Sequence, residues 1–247
     1  MLLLDLTLPT AAENLALDEA LLDAVDDEPA APELLRLWEC PQYAVVLGRS
    51  CRAAEEVELR VCAAEGVPVL RRTSGGGTVV IGPGCLMYSL RLSYLQRPHL
   101  RMLDQAHLEV LQTTAAAING LLDDSTIQPR GTSDLAIGDW KVSGNSLRCK
   151  RNFLLYHGTL LYDFDLARVA RWLKPPPREP DYREHRPHGA FVRNLPAFPD
   201  RLQSALIAAW RATEVVDVRS PAATITQQLA VELLHNRYSR DEWNLER

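Results

Sequence analysis

The chain has 247 residues, 47% of them hydrophobic, so it can bury a sizeable core; it is long for one average domain and short for two. A net charge of −5 offers no basic surface of the kind nucleic acid needs. No apolar run approaches the roughly 20 residues of a membrane span, so no membrane partner is expected either.

The first ten residues, MLLLDLTLPT, have no basic start and carry Asp5 inside the apolar run, which argues against a secretory signal. Five scattered cysteines (Cys40, Cys51, Cys62, Cys85 and Cys149), odd in number and without a CxxC pair, read as reduced thiols of a cytoplasmic protein.

In chain order, Thr10 and Glu13 form a capping-box pattern that opens a helix over 10–25, with Leu15 and Leu22 on its buried side. Apolar runs at 34–38 and 43–47 predict strands joined by a turn at Cys40-Pro41-Gln42, and 53–65 predicts a helix. A strand at 67–70 runs into a glycine loop. Strands at 78–81 and 85–92 are joined around Gly82-Pro83-Gly84.

The longest helical pattern is 102–122, with Leu103, Ala106, Leu108, Val110 and Leu111 as its inner face. Runs at 132–137, 141–147 and 154–162 predict consecutive strands of one sheet. A short helix at 165–173 stops at Lys174-Pro175-Pro176-Pro177, and the proline- and charge-rich 175–199 reads as a long ordered loop. Helices follow at 200–215 and from Pro221, where Ser220 is the N-cap. Interleaved helices and strands indicate an α+β or α/β architecture.

Three segments carry candidate chemistry. In Arg71-Arg72-Thr73-Ser74-Gly75-Gly76-Gly77-Thr78, three successive glycines cost backbone entropy and contribute no packing. Bare N–H groups turned toward a carboxylate or phosphate would explain them, with Arg72 as a bidentate donor to the same anion; a flexible hairpin turn would serve as well. In the second, Gly131-Thr132-Ser133-Asp134-Leu135 precedes Asp139-Trp140-Lys141-Val142-Ser143-Gly144-Asn145. Only three of the 27 basic residues are lysine, which singles out Lys141 as a compact ammonium that could neutralise charge on an activated carboxylate, although a hairpin surface would also accept it. The third, His157-Gly158-Thr159-Leu160-Leu161, interrupts a strand with glycine where a ligand or backbone must come close, or holds a structural histidine.

Taken together and in this order, RRxSGGG, an Asp-Leu strand, KxSGN and HGTLL resemble the catalytic domain of the lipoate–protein ligase A and octanoyl/lipoyl transferase superfamily. The resemblance extends to Asn14-Leu15-Ala16-Leu17-Asp18-Glu19, Val46-Leu47-Gly48-Arg49 and the Tyr238…Glu242-Trp243-Asn244 ending. It implies a mixed, largely antiparallel sheet flanked by helices, as in biotin ligases and class II synthetases. One catalytic domain would span 1–247, helical from about 200 to 247, with no separate accessory domain.

The implied reaction activates lipoate or octanoate with ATP and Mg2+ to an acyl adenylate, then acylates a lysine of a lipoyl-carrier domain of E2 or H-protein type. By the same resemblance Lys141 is the catalytic lysine. Arg72, Ser74, Gly75, Gly76, Gly77 and Thr78 form the loop over the acyl-adenylate. Asp134, Ser143, Gly144, Asn145, His157, Gly158 and Thr159 line the acyl and nucleotide site, and Asp134 offers a carboxylate to magnesium.

Leu17, Trp38 and Ile81 are expected as walls of an acyl tunnel. Ile81 stands where many family ligases have a histidine. The chain also has no room for the small C-terminal domain of many ligases, so either a separate polypeptide supplies it or the enzyme works without it. Two other readings are a carrier-to-carrier octanoyl or lipoyl transfer through a cysteine thioester, without ATP, and a non-catalytic acyl or carrier binder. The first needs a thiol near Lys141, and neither 125–133 nor the chain after Lys150 has a cysteine.

Overall fold

The computed structural model describes residues 1–123 and 125–245. Strand β1 (Leu2–Asp5) leads into α1 (Ala11–Asp23), which opens with the expected reciprocal cap: Thr10 Oγ1 accepts from the Glu13 N–H, and the Glu13 carboxylate accepts from the Thr10 N–H at 2.8 Å. Next come β2 (Leu34–Glu39), β3 (Ala44–Leu47), the short α2 (Ala53–Glu56) and α3 (Leu59–Ala64), then β4 (Val69–Arg71), β5 (Val79–Ile81) and the long β6 (Cys85–Ser93). Helix α4 (Leu103–Asn119) precedes four strands, β7 (Ile127–Arg130), β8 (Asp134–Ile137), β9 (Trp140–Cys149) and β10 (Phe153–Leu161). The chain continues through α5 (Ala167–Trp172), α6 (Pro199–Trp210), β11 (Glu214–Val215), α7 (Pro221–Leu233) and α8 (Asp241–Asn244).

The strands form two sheets, one ordered β11-β1-β2-β6-β10-β9-β8-β7 and one ordered β4-β3-β5. In the large sheet β1 runs parallel to β11 and β2, and every other pairing is antiparallel. This is the mixed, largely antiparallel sheet with flanking helices that was expected.

Side-chain alternation divides the large sheet's faces. Leu35 and Leu37 of β2, Leu86, Tyr88 and Leu90 of β6, and Leu154, Tyr156 and Leu160 of β10 pack on Val110 and Ile118 of α4 and Leu202 and Leu206 of α6. On the other face Trp38, Met87 and Leu161 share a core with Leu15 of α1 and the small sheet.

Several local expectations change. The runs near 34–38 and 43–47 are strands but not a hairpin, because β2 joins the large sheet and β3 the small one; β5 and β6 part in the same way. The helix expected over 53–65 breaks at Val57, which is extended and forms a bridge with Leu173. Strand β7 was not anticipated; Pro129 is tolerated there because β7 is an edge strand.

The helix expected over 200–215 ends at Trp210, where Arg211 turns left-handed (φ 50°), and residues 214–215 pair with β1 instead. Leu103 and Leu108 lie on the solvent side of α4 rather than its inner face. Among the described residues no helix is long and apolar enough to cross a membrane.

Candidate active site

The glycine segment links β4 to β5 and folds back against β3. A Cβ on Gly48 would stand 1.9 Å from the Gly76 carbonyl oxygen, so only glycine permits this backbone approach. All three loop carbonyls turn inward. Gly75 O accepts from Ser146 Oγ (2.9 Å) and from Arg72 Nη2, Gly76 O from Cys51 Sγ (3.3 Å), and Gly77 O from Arg72 Nη2 (2.9 Å).

In a planar trans peptide the next residue's N–H points opposite to the carbonyl, so the Gly76 and Gly77 N–H groups face away from these partners. Among the described residues no protein acceptor meets the N–H of Gly75, Gly76 or Gly77. Outward amides on consecutive residues, with Gly76 at φ 79°, make a concavity for an anion.

Arg72 builds this loop rather than serving the anion as a bidentate ligand, which corrects the sequence expectation. Its guanidinium is spent on Ser74 Oγ (3.0 Å) and the carbonyls of Val46 (3.2 Å), Gly75 and Gly77. Burial pushes its pKa down to about 10, against the opposing pull of Cys51 and Glu56. Thr78 is likewise committed, through its N–H (3.3 Å) and hydroxyl (2.6 Å), to Glu56 Oε2.

Lys141 is a quarter exposed, and its Nζ lies 2.7 Å from Asp134 Oδ1. The other oxygen, Oδ2, accepts from Tyr182 Oη at 2.8 Å. The Lys141 backbone is pinned by its N–H to Phe191 O (2.8 Å) and by the Arg193 N–H to its own carbonyl (2.9 Å). The loop expected over 175–199 is therefore ordered and walls this side of the cleft.

With both carboxylate oxygens engaged, Asp134 is not by itself a resident metal site. Among the described residues no three His, Cys, Asp or Glu side chains converge into one. The protein alone therefore builds no complete magnesium site here, and Asp134 could at most add one carboxylate to a magnesium brought by nucleotide phosphates.

Two adjoining cavities meet at these groups. An outer one of about 380 Å³ is lined by Gly77, Thr78, Asp134, Lys141, Arg183 and His188, among others. An inner one of about 100 Å³ shares Gly77, Thr78, Asp134, Lys141, Gly144 and Thr159 with it and runs inward to Leu15, Val46, Ile81 and Met87. Ile81 is a wall of the inner cavity.

Leu17 and Trp38 are not. Leu17 faces a separate cavity of about 520 Å³ between α1, β1 and α7, and Trp38 is buried in the core without lining any of the three. Leu17 lies two residues after Leu15, and on a helix that spacing points it to a different side. The separate cavity is the largest of the three but brings few polar groups together, unlike the cleft at Lys141 and the glycine segment.

The remaining expected residues take defined places. Asn145 Nδ2 donates to Ser133 O (2.9 Å) and Ser143 Oγ (3.1 Å), and Asn145 Oδ1 accepts from Tyr88 Oη (2.5 Å), which ties β9 to the turn before Asp134. Gly158 makes room for that amide: a Cβ there would stand 1.8 Å from Asn145 Oδ1, so side-chain packing and not ligand approach requires the glycine. The Gly144 N–H donates to Thr159 Oγ1 (3.2 Å), and His157 Nε2 lies 2.5 Å from Ser74 Oγ.

Sequence reading assigned no role in the site to Asp18, Arg36, Ser89, Ser146, Tyr182 or Cys51. Asp18 left a signal, because it sits between Leu15 and Leu22 on the buried stripe of α1, where an acid demands a partner. The others come together only through strand register and loop packing. Cys51 is the cysteine beside the glycine loop, but burial pushes its thiol up and it donates to Gly76 O. Cys149, the exposed one, sits at the far end of β9, and burial raises the Cys85 thiol strongly.

A family model described as the lipoyl protein ligase A/B catalytic domain matches residues 10–216. The chain is similar to the lipoate-protein ligase A subunit 1 of Thermoplasma acidophilum, at 28% identity over 94% of this chain and 91% of that protein. It is also similar to the octanoyltransferase LipM of Carboxydothermus hydrogenoformans, at 27% identity over 95% of this chain and 94% of that protein. Its fold matches that of a solved bi-partite lipoate protein ligase from T. acidophilum, studied with its E2 lipoyl domain, with a TM-score of 0.82 over 99% of this chain and 95% of the other at 23% identity.

Proposed function

Since the chain belongs to the lipoyl protein ligase A/B catalytic domain family and is an enzyme of it, we propose that it activates lipoate or octanoate with ATP and transfers the acyl group to a carrier-domain lysine. The supporting observation is one of convergence. Outward N–H groups at Gly76 and Gly77 and the Lys141 ammonium border one cavity whose inner end is apolar.

A medium-chain acid would lie with its tail against Leu15, Val46, Ile81 and Met87 and its carboxylate at the junction of the two cavities. The nucleotide would occupy the outer cavity. There the carboxylate oxygen attacks the α-phosphorus, the bond to pyrophosphate breaks, and the acyl adenylate forms. Magnesium would enter with the nucleotide phosphates rather than on a protein-built site.

In the second half-reaction the carrier lysine, as free amine, attacks the acyl carbonyl; AMP leaves with the bonding pair, and the amine gives up a proton. The tetrahedral oxyanion between these steps is stabilised by Lys141 and the loop amides. No protein nucleophile is required. The Thermoplasma ligase is bi-partite and was studied with an E2 lipoyl domain. By analogy we assign a lipoyl domain as the acceptor here, with a second polypeptide completing the ligase.

Carrier-to-carrier transfer is the second reading, prompted by the LipM relative. It is weakened by thiols that are buried beside the loop or exposed away from it. Acid-dependent exchange of labelled pyrophosphate into ATP tests the choice. Exchange with lipoate or octanoate supports the ligase. Its absence, together with a hydroxylamine-labile acyl adduct lost in Cys51→Ser, would establish the thiol route.

A further inference from the structure

Arg36, Ser89, His157 and Ser146 lie on a single rung of the large sheet: register pairs Arg36 with Ser89, Ser89 with His157, and His157 with Ser146. Directly opposed residues share a face, so the four side chains form a polar row in an otherwise apolar layer. Asp18 of α1 sits on this row. Its Oδ1 accepts from Arg36 Nη1 (2.6 Å), its Oδ2 accepts from Ser89 Oγ (2.6 Å), and Oδ2 lies 3.9 Å from His157 Nδ1. Burial opposes ionisation of Asp18, but Arg36, His157 and Ser89 outweigh it and keep the carboxyl below its ordinary pKa.

The other end of the row touches the glycine loop. Ser146 Oγ donates to Gly75 O (2.9 Å), and His157 Nε2 lies 2.5 Å from Ser74 Oγ. Ser74 Oγ also accepts from Arg72 Nε (3.0 Å), and among the described residues its hydroxyl has no acceptor other than His157 Nε2, so its own hydrogen goes to that nitrogen. That nitrogen then carries no hydrogen, and the ring proton belongs on Nδ1, which faces Asp18 and has no closer partner. Arg72, the next member, holds the Gly75 and Gly77 carbonyls.

We propose that Asp18 is a positioning residue for the glycine loop: by fixing the Nδ1–H tautomer of His157 it keeps Ser74 and Arg72 placed to hold the loop carbonyls inward. The loop amides are thereby presented to the cleft without Asp18 touching a substrate. Only the consequence for turnover rests on the proposed function; the positioning itself is a property of the unliganded protein.

Two readouts on the unliganded protein test it. The first is the ring-nitrogen NMR signature of His157, which should show a protonated Nδ1 and an accepting Nε2, and should shift toward the other tautomer in Asp18→Asn. The second is amide exchange at Arg49, whose N–H donates to Ser74 O (2.8 Å) and so reports whether the loop is seated. Ser74→Ala and Asp18→Asn should each raise that exchange about fivefold, as expected for loss of one buried hydrogen bond. The double variant should be no faster than the faster single variant, and Ser74→Thr should restore native exchange.

If Asp18→Asn does not fold, His157→Gln, which leaves the Asp18–Arg36 pair intact, must give the same acceleration. An Asp18→Asn protein with unchanged tautomer and unchanged Arg49 exchange would overturn the proposal, as would additive effects in the double variant. A protein that shows the coupling but no acyl-dependent pyrophosphate exchange would keep the positioning role and lose the ligase reading.

Discussion

Lys141 Nζ stands 2.7 Å from Asp134 Oδ1, and the same carboxylate accepts from Tyr182 on its other oxygen. The ammonium is thus held at the junction of the two cavities by a β8 residue that is itself held by the 175–199 loop. Binding an anionic acyl phosphate there would exchange one negative partner for another, which favours a fixed cation over a mobile one.

Replacing Lys141 with methionine should therefore lower kcat/KM for acyl transfer by about 100- to 1000-fold, the usual cost of removing one preorganised oxyanion donor. Because the change leaves the nearly buried Asp134 carboxylate with Tyr182 as its remaining side-chain partner, the thermal midpoint should also fall, by several degrees. Steady-state kinetics with a lipoyl domain, paired with a melting curve, separates the two effects. A loss of activity that only tracked a loss of folding would count against the role.

Gly48 and Gly77 should respond unequally to alanine. At Gly48 the new methyl would meet the Gly76 carbonyl at 1.9 Å, so Gly48→Ala should cost about 1–3 kcal/mol and raise the KM for the acid by displacing the loop. At Gly77 the space is open and φ is not in the left-handed region. Gly77→Ala should change stability by no more than about 0.5 kcal/mol. Urea titrations of both variants decide the point.

His188 makes the cleft wall sensitive to acid. Its Nε2 donates to Lys174 O (3.1 Å) and its Nδ1 faces Arg183 Nη2 at 3.4 Å, an arrangement that suits the neutral ring. Burial lowers its pKa; the hydrogen bond to the Lys174 carbonyl opposes the shift, and the charges of Arg183 and Lys141 reinforce it. For a base whose folded pKa lies below its ordinary 6.5, the unfolded chain binds more protons, so stability is complete above that value and is lost as the pH falls below it. Between pH 7.5 and 5.5 the native protein should lose more thermal stability, and become more protease-sensitive in the 175–199 loop, than His188→Gln. Equal losses in both proteins would show that the titration lies elsewhere.

Much of this molecule was written in local pattern. The capping box at Thr10 and Glu13, the stripe of α1 through Leu15 and Leu22, and the strands bearing Asp134, Lys141 and His157 depend on residue type and spacing over short stretches, whereas the grouping of these with the glycine segment was implied only by resemblance to a known family. What sequence could not decide is which strand pairs with which. The runs before and after Cys40, and those before and after Gly82, look like hairpins along the chain, yet each divides between two sheets because pairing energy depends on partners far away in sequence. For the same reason Arg72 proved to be a brace for the loop, Gly158 a recess for Asn145, and Asp18 the end of a row that exists only once β2, β6, β10 and β9 are in register. Local spacing determined which residues could do chemistry, and long-range register determined which of them touch the cleft and which hold the others in place.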